Sequence, residues 1–161
     1  FEMASMQVEI TTTRAIAAQV LRHRSFSFQE FSQRYSDVGE LEDIGLPHLR
    51  TQDTKNKQAS HDNLDPEIRE MLELHTERLY IQAHDLYAHM IEKGVAKECA
   101  RSVLPLGTPT KIYMSGTIRS FIHYVQIRAG EETQLEHRLI AEDIKDIIEV
   151  NLPNIYEAAF T

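Results

Sequence analysis

The feature that most narrows the choice of fold is a helical stretch with both of its ends written into the sequence. At Asp65-Pro66-Glu67 the Asp is a capping residue, the Pro sits in the first turn where no N–H partner is needed, and the Glu suits the positive end of the helix dipole. Ile68, Leu72, Leu79, Ala83, Leu86 and Met90 then keep helical spacing until Gly94 supplies the stop. A second short helix is expected from about Ala96 to Leu104, before Pro105, another from about Thr117 to Arg128, and a last one from about Thr133 to Val150. The last buries Leu135, Leu139, Ile140, Ile144, Ile147 and Ile148 and is closed by Pro153.

Strand signals are fewer. Ala4, Met6, Val8 and Ile10 alternate with Ser5, Gln7 and Glu9, the period of a half-buried strand. Thr11-Thr12-Thr13 offers capping hydroxyls before a short Ala-rich helix from Arg14 to Leu21. Thr110 to Ser115 reads as a strand with Ile112 and Met114 on one side and Tyr113 on the other. From Ser25 to Tyr35 neither period dominates, and residues 37–64, with two Gly, one Pro and few apolar groups, read as a long loop. The expectation is an α+β fold, a helix-rich domain with a small, mostly antiparallel sheet, spanning residues 1–161 as one unit. Phe1 opens in the middle of a patterned stretch without an initiator Met, so an N-terminal segment is expected to be absent.

Composition excludes several classes. No apolar run approaches the roughly 20 residues that span a bilayer. The 161 residues carry 17 Lys+Arg against 25 Asp+Glu, a net charge of −8, which disfavours a broad nucleic-acid surface. A lone Cys, Cys99, cannot form an internal disulfide and fits a reducing compartment: the cytoplasm, or a host cytoplasm for a viral protein. Inside an apolar-periodic helix it reads as a small buried hydrophobe.

Against this acidic background, residues 22–35 (Arg-His-Arg-Ser-Phe-Ser-Phe-Gln-Glu-Phe-Ser-Gln-Arg-Tyr) concentrate Arg22, Arg24 and Arg34 with His23, Glu30 and three Ser, interleaved with Phe26, Phe28 and Phe31. Arg forks suit phosphate and the polar edges of planar rings, Ser hydroxyls and successive backbone N–H groups suit phosphate oxygens, and Phe supplies apolar walls. Arg119 and His123 share a face of their expected helix, with Arg128 close by near its C-terminus. His123 has no second His or carboxylate at ligand spacing, so no metal site is expected, and His75, His84 and His89 read as surface residues.

The window resembles the signature of the flavin-dependent thymidylate synthases: Arg-His-Arg, a seven-residue spacer, then Ser, with a further Arg and Tyr. Arg22, His23, Arg24, Ser32 and Arg34 match it, and Glu30 stands where that family usually has Glu. Phe1-Glu2, Gln19, the Ala100-to-Leu106 block, Thr117-Ile118-Arg119 through His123 to Arg128, and Gln134-x-Glu136 continue the resemblance in order.

The resemblance implies a methyltransferase that makes dTMP from dUMP with FAD, taking a one-carbon unit from methylenetetrahydrofolate and electrons from NADPH, with no enzymic thiol nucleophile. It implies that Arg22, His23, Arg24, Glu30, Thr117, Arg119 and His123 hold FAD. Gln19, Arg22, Glu30, Phe31, Ser32, Gln33, Arg34, Arg101 and Arg128 would bind dUMP, with Arg128 the catalytic cation at the uracil. It implies a homotetramer whose sites are shared between subunits, so that Arg101 and Arg128 meet the Arg22–Arg34 segment of neighbouring chains. Two positions depart from the family pattern: Thr117 stands where Asn is common, and Met3 where His often follows Phe-Glu. The residues alone also admit a non-catalytic nucleotide- or flavin-binding module, and, against the acidic total, a single-strand nucleic-acid binder. Ser32 has no evident base partner and reads as a phosphate donor rather than a nucleophile.

Overall fold

The structure, a computed structural model, describes residues 1–34, 41, 44–57 and 59–161. Tyr35, the last residue of the motif window, and part of the expected 37–64 loop lie outside the described residues.

The sheet is built around two long strands, β1 (Ser5–Thr13) and β5 (Pro109–Thr117), paired antiparallel over their whole length from Ser5↔Thr117 to Thr13↔Pro109. A short strand, β2 (Ser27–Glu30), adds to the other side of β5, giving the order β1-β5-β2. β2 falls in the window where no period dominated: an edge strand of four residues is too short to show one. Alternation puts Val8, Ile10 and Thr12 of β1 and Thr110, Ile112 and Met114 of β5 on one buried face.

Each long strand runs directly into a helix. Thr13 caps α1 (Arg14–Val20), its hydroxyl accepting from the Ile16 N–H, and Thr117 caps α4 (Ile118–Arg128), accepting from the Ser120 N–H. Because the strands are antiparallel, the two helices leave from opposite ends of the pair. With α5 (Leu135–Asn151) they form a core of Ile16, Ala17, Val20, Phe121, Tyr124, Val125, Ala141, Ile144 and Ile148 against the sheet. On α5 the buried line is His137, Ala141, Ile144 and Ile148, whereas Leu139 and Ile147, expected inside, are 47% and 40% exposed. The 3.6-residue period admits either stripe, and packing against α1 and α4 selects the one that begins with a histidine. α5 ends at Asn151, ahead of Pro153 as expected, but Pro153 also starts a further helix that was not expected. This is α6 (Pro153–Phe160), where a missing N–H costs nothing in the first turn.

The expected 37–64 loop contains a hairpin of two minimal strands, β3 (Thr51–Gln52) and β4 (Ser60–His61), too short to leave a periodic signal. α2 (Pro66–Glu92) follows with the expected ends: Asp65 accepts from the Glu67 and Ile68 N–H groups, and Gly94, at φ +82°, lets the Gly94 and Val95 N–H groups close back on Ile91 and Met90. Among the described residues the buried part of α2 is its C-terminal part, where Tyr87 and Ala100 are buried with Met90, Ile91, Val95, Val103 and Leu104 around them. Ile68, Met71, Leu72, Leu74, Leu79, Ile81 and Leu86 are all exposed. The helix expected from Ala96 to Leu104 divides into α3 (Lys97–Ala100) and a 3-10 turn over Arg101–Val103. Cys99, expected buried, is exposed, because the buried position of this short helix is taken by Ala100. No helix among the described residues is long and apolar enough to cross a membrane.

Candidate functional site

The motif window leaves α1 as a turn, passes through β2 and ends beside α3, so its residues fall into two clusters. The first gathers where α1, α4 and α5 converge. Arg128, at the last turn of α4, donates its Nε–H to His23 Nε2 at 2.9 Å. The His23 ring stands edge-on to Tyr124 at 4.8 Å and to His137 at 6.0 Å between centroids. Burial, then the Arg128 charge and then His123, lower the His23 pKa, so the ring stays neutral and able to accept from Arg128. His137 is fully buried, and burial followed by the charges of Arg128 and His23 brings its pKa down to about 4. Its Nε2 lies 2.9 Å from the Tyr124 hydroxyl and its Nδ1 lies 3.3 Å from Gln19 Oε1. Gln19 in turn donates to Gln134 Oε1 at 2.7 Å, and Gln134 to Glu136 Oε2 at 2.9 Å.

Glu136 is held from the other side by Arg50, at the foot of the hairpin. Arg50 NH2 donates to Oε2 at 3.0 Å and NH1 lies 2.8 Å from Oε1, with the two side chains 11% and 24% exposed. Burial opposes the charge on Glu136, but the hydrogen bonds from Arg50 and Gln134 outweigh it and its pKa is lowered. Gln19, Arg50, Gln52, Lys57, Arg128 and Gln134 line a polar cavity of about 520 Å³ between the hairpin and the α4–α5 turn.

The second cluster lies where α1 starts. Gln33 is 2% exposed; Arg14 NH1 donates to its Oε1 at 2.7 Å, and its Nε2 has no partner among the described residues. Both side chains line a cavity of about 340 Å³ with Arg101, Ser102, Glu98 and Leu104. Glu98, from the lining, pairs with Arg34 at 3.5 Å, both side chains about half exposed. An unmatched buried amide donor beside two guanidinium groups is chemically suited to an anion. Nearby, Glu30 at the end of β2 accepts from the buried Thr110 hydroxyl at 3.1 Å, and the Phe31 N–H donates to the Lys111 carbonyl at 2.8 Å. Phe31 and Ser32 are half-buried.

The remaining expected residues face outward. Arg22, Arg24, Arg119 and His123 are exposed. Arg119 pairs with Glu2 at 2.9 Å, while the Arg22 and Arg24 side chains carry no ion pair or hydrogen bond among the described residues. The Thr117 hydroxyl is engaged as the cap of α4 and lies 3.1 Å from the Ser120 hydroxyl. Among the described residues no cluster of His, Cys, Asp or Glu has the arrangement of a metal site. Sequence reasoning missed Arg14, Arg50, Tyr124 and His137. The first two precede or follow the motif without belonging to it, and the last two look like ordinary core positions of α4 and α5. The one available signal was a histidine at a position of α5 where the buried stripe requires an apolar residue.

Within one chain, then, Gln19, His23 and Arg128 meet in one place and Gln33, Arg34 and Arg101 in another. The cationic and amide donors are thus divided between two separate clusters. The family model described as thymidylate synthase complementing protein matches residues 1–154. A probable flavin-dependent thymidylate synthase from Paramecium bursaria Chlorella virus 1 is 51% identical over 98% of this chain and 72% of its own length. The flavin-dependent thymidylate synthase of Synechocystis sp. is 48% identical over the same shares. The crystal structure of a UMP/dUMP methylase, PolB from Streptomyces cacaoi, bound with 5-Br UMP superposes with a TM-score of 0.82 at 25% identity, over 96% of this chain and 73% of that one. The chain belongs to the flavin-dependent thymidylate synthase family.

Proposed function

We propose that the protein makes dTMP from dUMP with FAD, using methylenetetrahydrofolate as the one-carbon donor and NADPH as the reductant. The observation that carries the reading is the cavity at Gln33: a buried amide with an unmatched donor, steadied by Arg14 and faced by Arg101, suits the phosphate of a nucleotide. In this reading Phe31, Ser32, Gln33, Arg34 and Arg101 take the phosphate side of dUMP, and Gln19, Arg22, Glu30 and Arg128 serve the rest of the nucleotide.

The donor set also fits the flavin. Arg22 and Arg24 are exposed cations without a partner among the described residues, Arg119 and His123 stand exposed on α4, and a pyrophosphate is the ligand such a set favours. His23, Glu30 and Thr117 complete the residues that would hold FAD. When bound, FAD supplies the redox chemistry that the protein's own side chains lack. His23 anchors Arg128 through Nε, which leaves the two terminal nitrogens of the guanidinium for the substrate. A cation fixed in advance stabilises negative charge that develops on the pyrimidine ring without reorganising during the reaction.

The division of these residues between two clusters, together with the uncovered apolar face of α2, supports a homotetramer in which each site draws on more than one subunit. A cytoplasmic setting, or a host cytoplasm, goes with the reading. The test is direct: the purified protein is yellow, and dUMP with methylenetetrahydrofolate and NADPH yields dTMP by chromatography. NADPH oxidation without dTMP refutes the activity. Sedimentation of a flavin-loaded monomer at micromolar concentration refutes the shared site.

A further inference from the structure

Tyr124, His137, Gln19, Gln134 and Glu136 form one chain of hydrogen bonds whose direction is fixed from the Glu136 end. At the inner end, the Tyr124 hydroxyl lies 2.9 Å from His137 Nε2, and burial raises its pKa, so it keeps a proton that it can donate. His137 is fully buried and neutral at neutral pH, so a ring that accepts at Nε2 carries its single proton on Nδ1. That Nδ1–H donates to Gln19 Oε1. At the outer end, Glu136, ionised beside Arg50, can only accept; it takes a bond from Gln134 Nε2, which turns Gln134 Oε1 back to receive Gln19 Nε2. The acceptor-only carboxylate thus sets the Gln19 amide with Oε1 toward His137, so the ring donates from Nδ1 and accepts the Tyr124 proton at Nε2. The second Nε2–H of Gln19 has no acceptor among the described residues, and Gln19 lines the cavity it shares with Arg50 and Arg128.

We infer that His137 is a positioning residue: with Nε2 satisfied by Tyr124, its Nδ1–H holds the Gln19 amide so that the side chain offers a hydrogen-bond donor, not an acceptor, to the nucleotide. The inference rests on the reading of Gln19 as a dUMP ligand. A free glutamine amide presents either end at little cost, so pre-setting it removes an ordering penalty on binding and selects ligand groups that accept.

The experiment uses the flavin-loaded protein. Ring ¹⁵N spectra of His137 are expected to show the Nδ1–H tautomer in the unaltered protein and also in Tyr124→Phe, which removes one oxygen, keeps the aromatic packing and leaves Nε2 without a donor. Calorimetric titration with dUMP is expected to give a three- to tenfold weaker affinity, as an order of magnitude, for Tyr124→Phe and for Gln19→Ala. The combined variant should be no weaker than Gln19→Ala alone, because His137 acts through Gln19. An Nε2–H tautomer in the unaltered protein overturns the inference, as does an equal loss on adding Tyr124→Phe in both backgrounds, which is the mark of a merely structural role. If Gln19→Ala leaves dUMP affinity unchanged while the tautomer is as expected, it is the nucleotide role of Gln19 that fails, and the positioning role with it.

Discussion

Arg128 and His23, 105 residues apart, meet through one hydrogen bond of 2.9 Å, from the guanidinium Nε–H to the imidazole Nε2. The bond ties the last turn of α4 to the start of the motif window and requires the imidazole to be neutral, which burial and the neighbouring positive charges ensure. It makes Arg128 a cation with one of its three nitrogens already committed.

The first expected outcome concerns that cation. Arg128→Lys retains the charge but has no Nε–H for His23 and no fork for the pyrimidine. Single-turnover formation of dTMP should fall by about 10²–10³ if Arg128 acts as a pre-set electrostatic stabiliser. A Lys variant with undiminished turnover removes Arg128 from the chemistry.

The phosphate reading of the second cluster separates nucleotide from nucleoside. Arg101→Ala should weaken dUMP binding by about ten- to a hundredfold, the worth of a charge-assisted hydrogen bond, and leave the affinity for deoxyuridine within about twofold. An equal loss for both ligands in calorimetric titration counts against a phosphate at this cavity.

The buried His137 sets a pH dependence of stability. Its folded pKa of about 4 lies below the value of 6.5 for an unperturbed histidine, so between these limits the unfolded chain binds more protons than the folded one. Stability is therefore fully present above pH 6.5 and falls as the pH drops toward 4, by up to about 3 kcal/mol for this one group. His23, lowered in the same direction, adds to the slope. Denaturant unfolding at pH 7.5 and pH 4.5 checks it, with a shallower dependence expected in His137→Asn. Equal stability of the unaltered protein at the two pH values is incompatible with a buried neutral histidine.

Two glycines next to aromatic rings should respond differently to Ala. A Cβ on Gly116 of β5 would come within 2.5 Å of Phe26, whose ring is already wedged against Phe121 and Tyr124. Gly116→Ala is expected to cost about 1–3 kcal/mol in thermal unfolding. A Cβ on Gly107 would meet only the far end of Tyr80, a side chain that can swing aside, so Gly107→Ala should be nearly neutral.

Much of the fold was legible in the sequence because its signals are local. The caps Thr13 and Asp65, the stop at Gly94, and the alternation in β1 and β5 each depend on neighbours a few residues away, and the elements stand where these predicted them. The misses share one cause. The hairpin at Thr51–Gln52 and Ser60–His61 is too short for a period, Pro153 serves a helix start as well as a helix end, and the buried stripe of α5 depends on which neighbour packs against it.

The candidate site divides along the same line. By itself the sequence determined the ingredients: an arginine-rich window in an acidic chain, a long capped helix, and a spacing of residues that identifies the family. Which of these residues meet was decided only by the tertiary structure. It sent Gln33 to Arg14 and Arg101, sent His23 to Arg128, and recruited Tyr124, His137 and Arg50 from positions that carry no motif. The reason is that a hydrogen bond acts over about 3 Å, whatever the separation along the chain. Contacts between residues a hundred or more positions apart, such as Gln19 with His137, leave no periodic trace, because they arise only when strands and helices have docked.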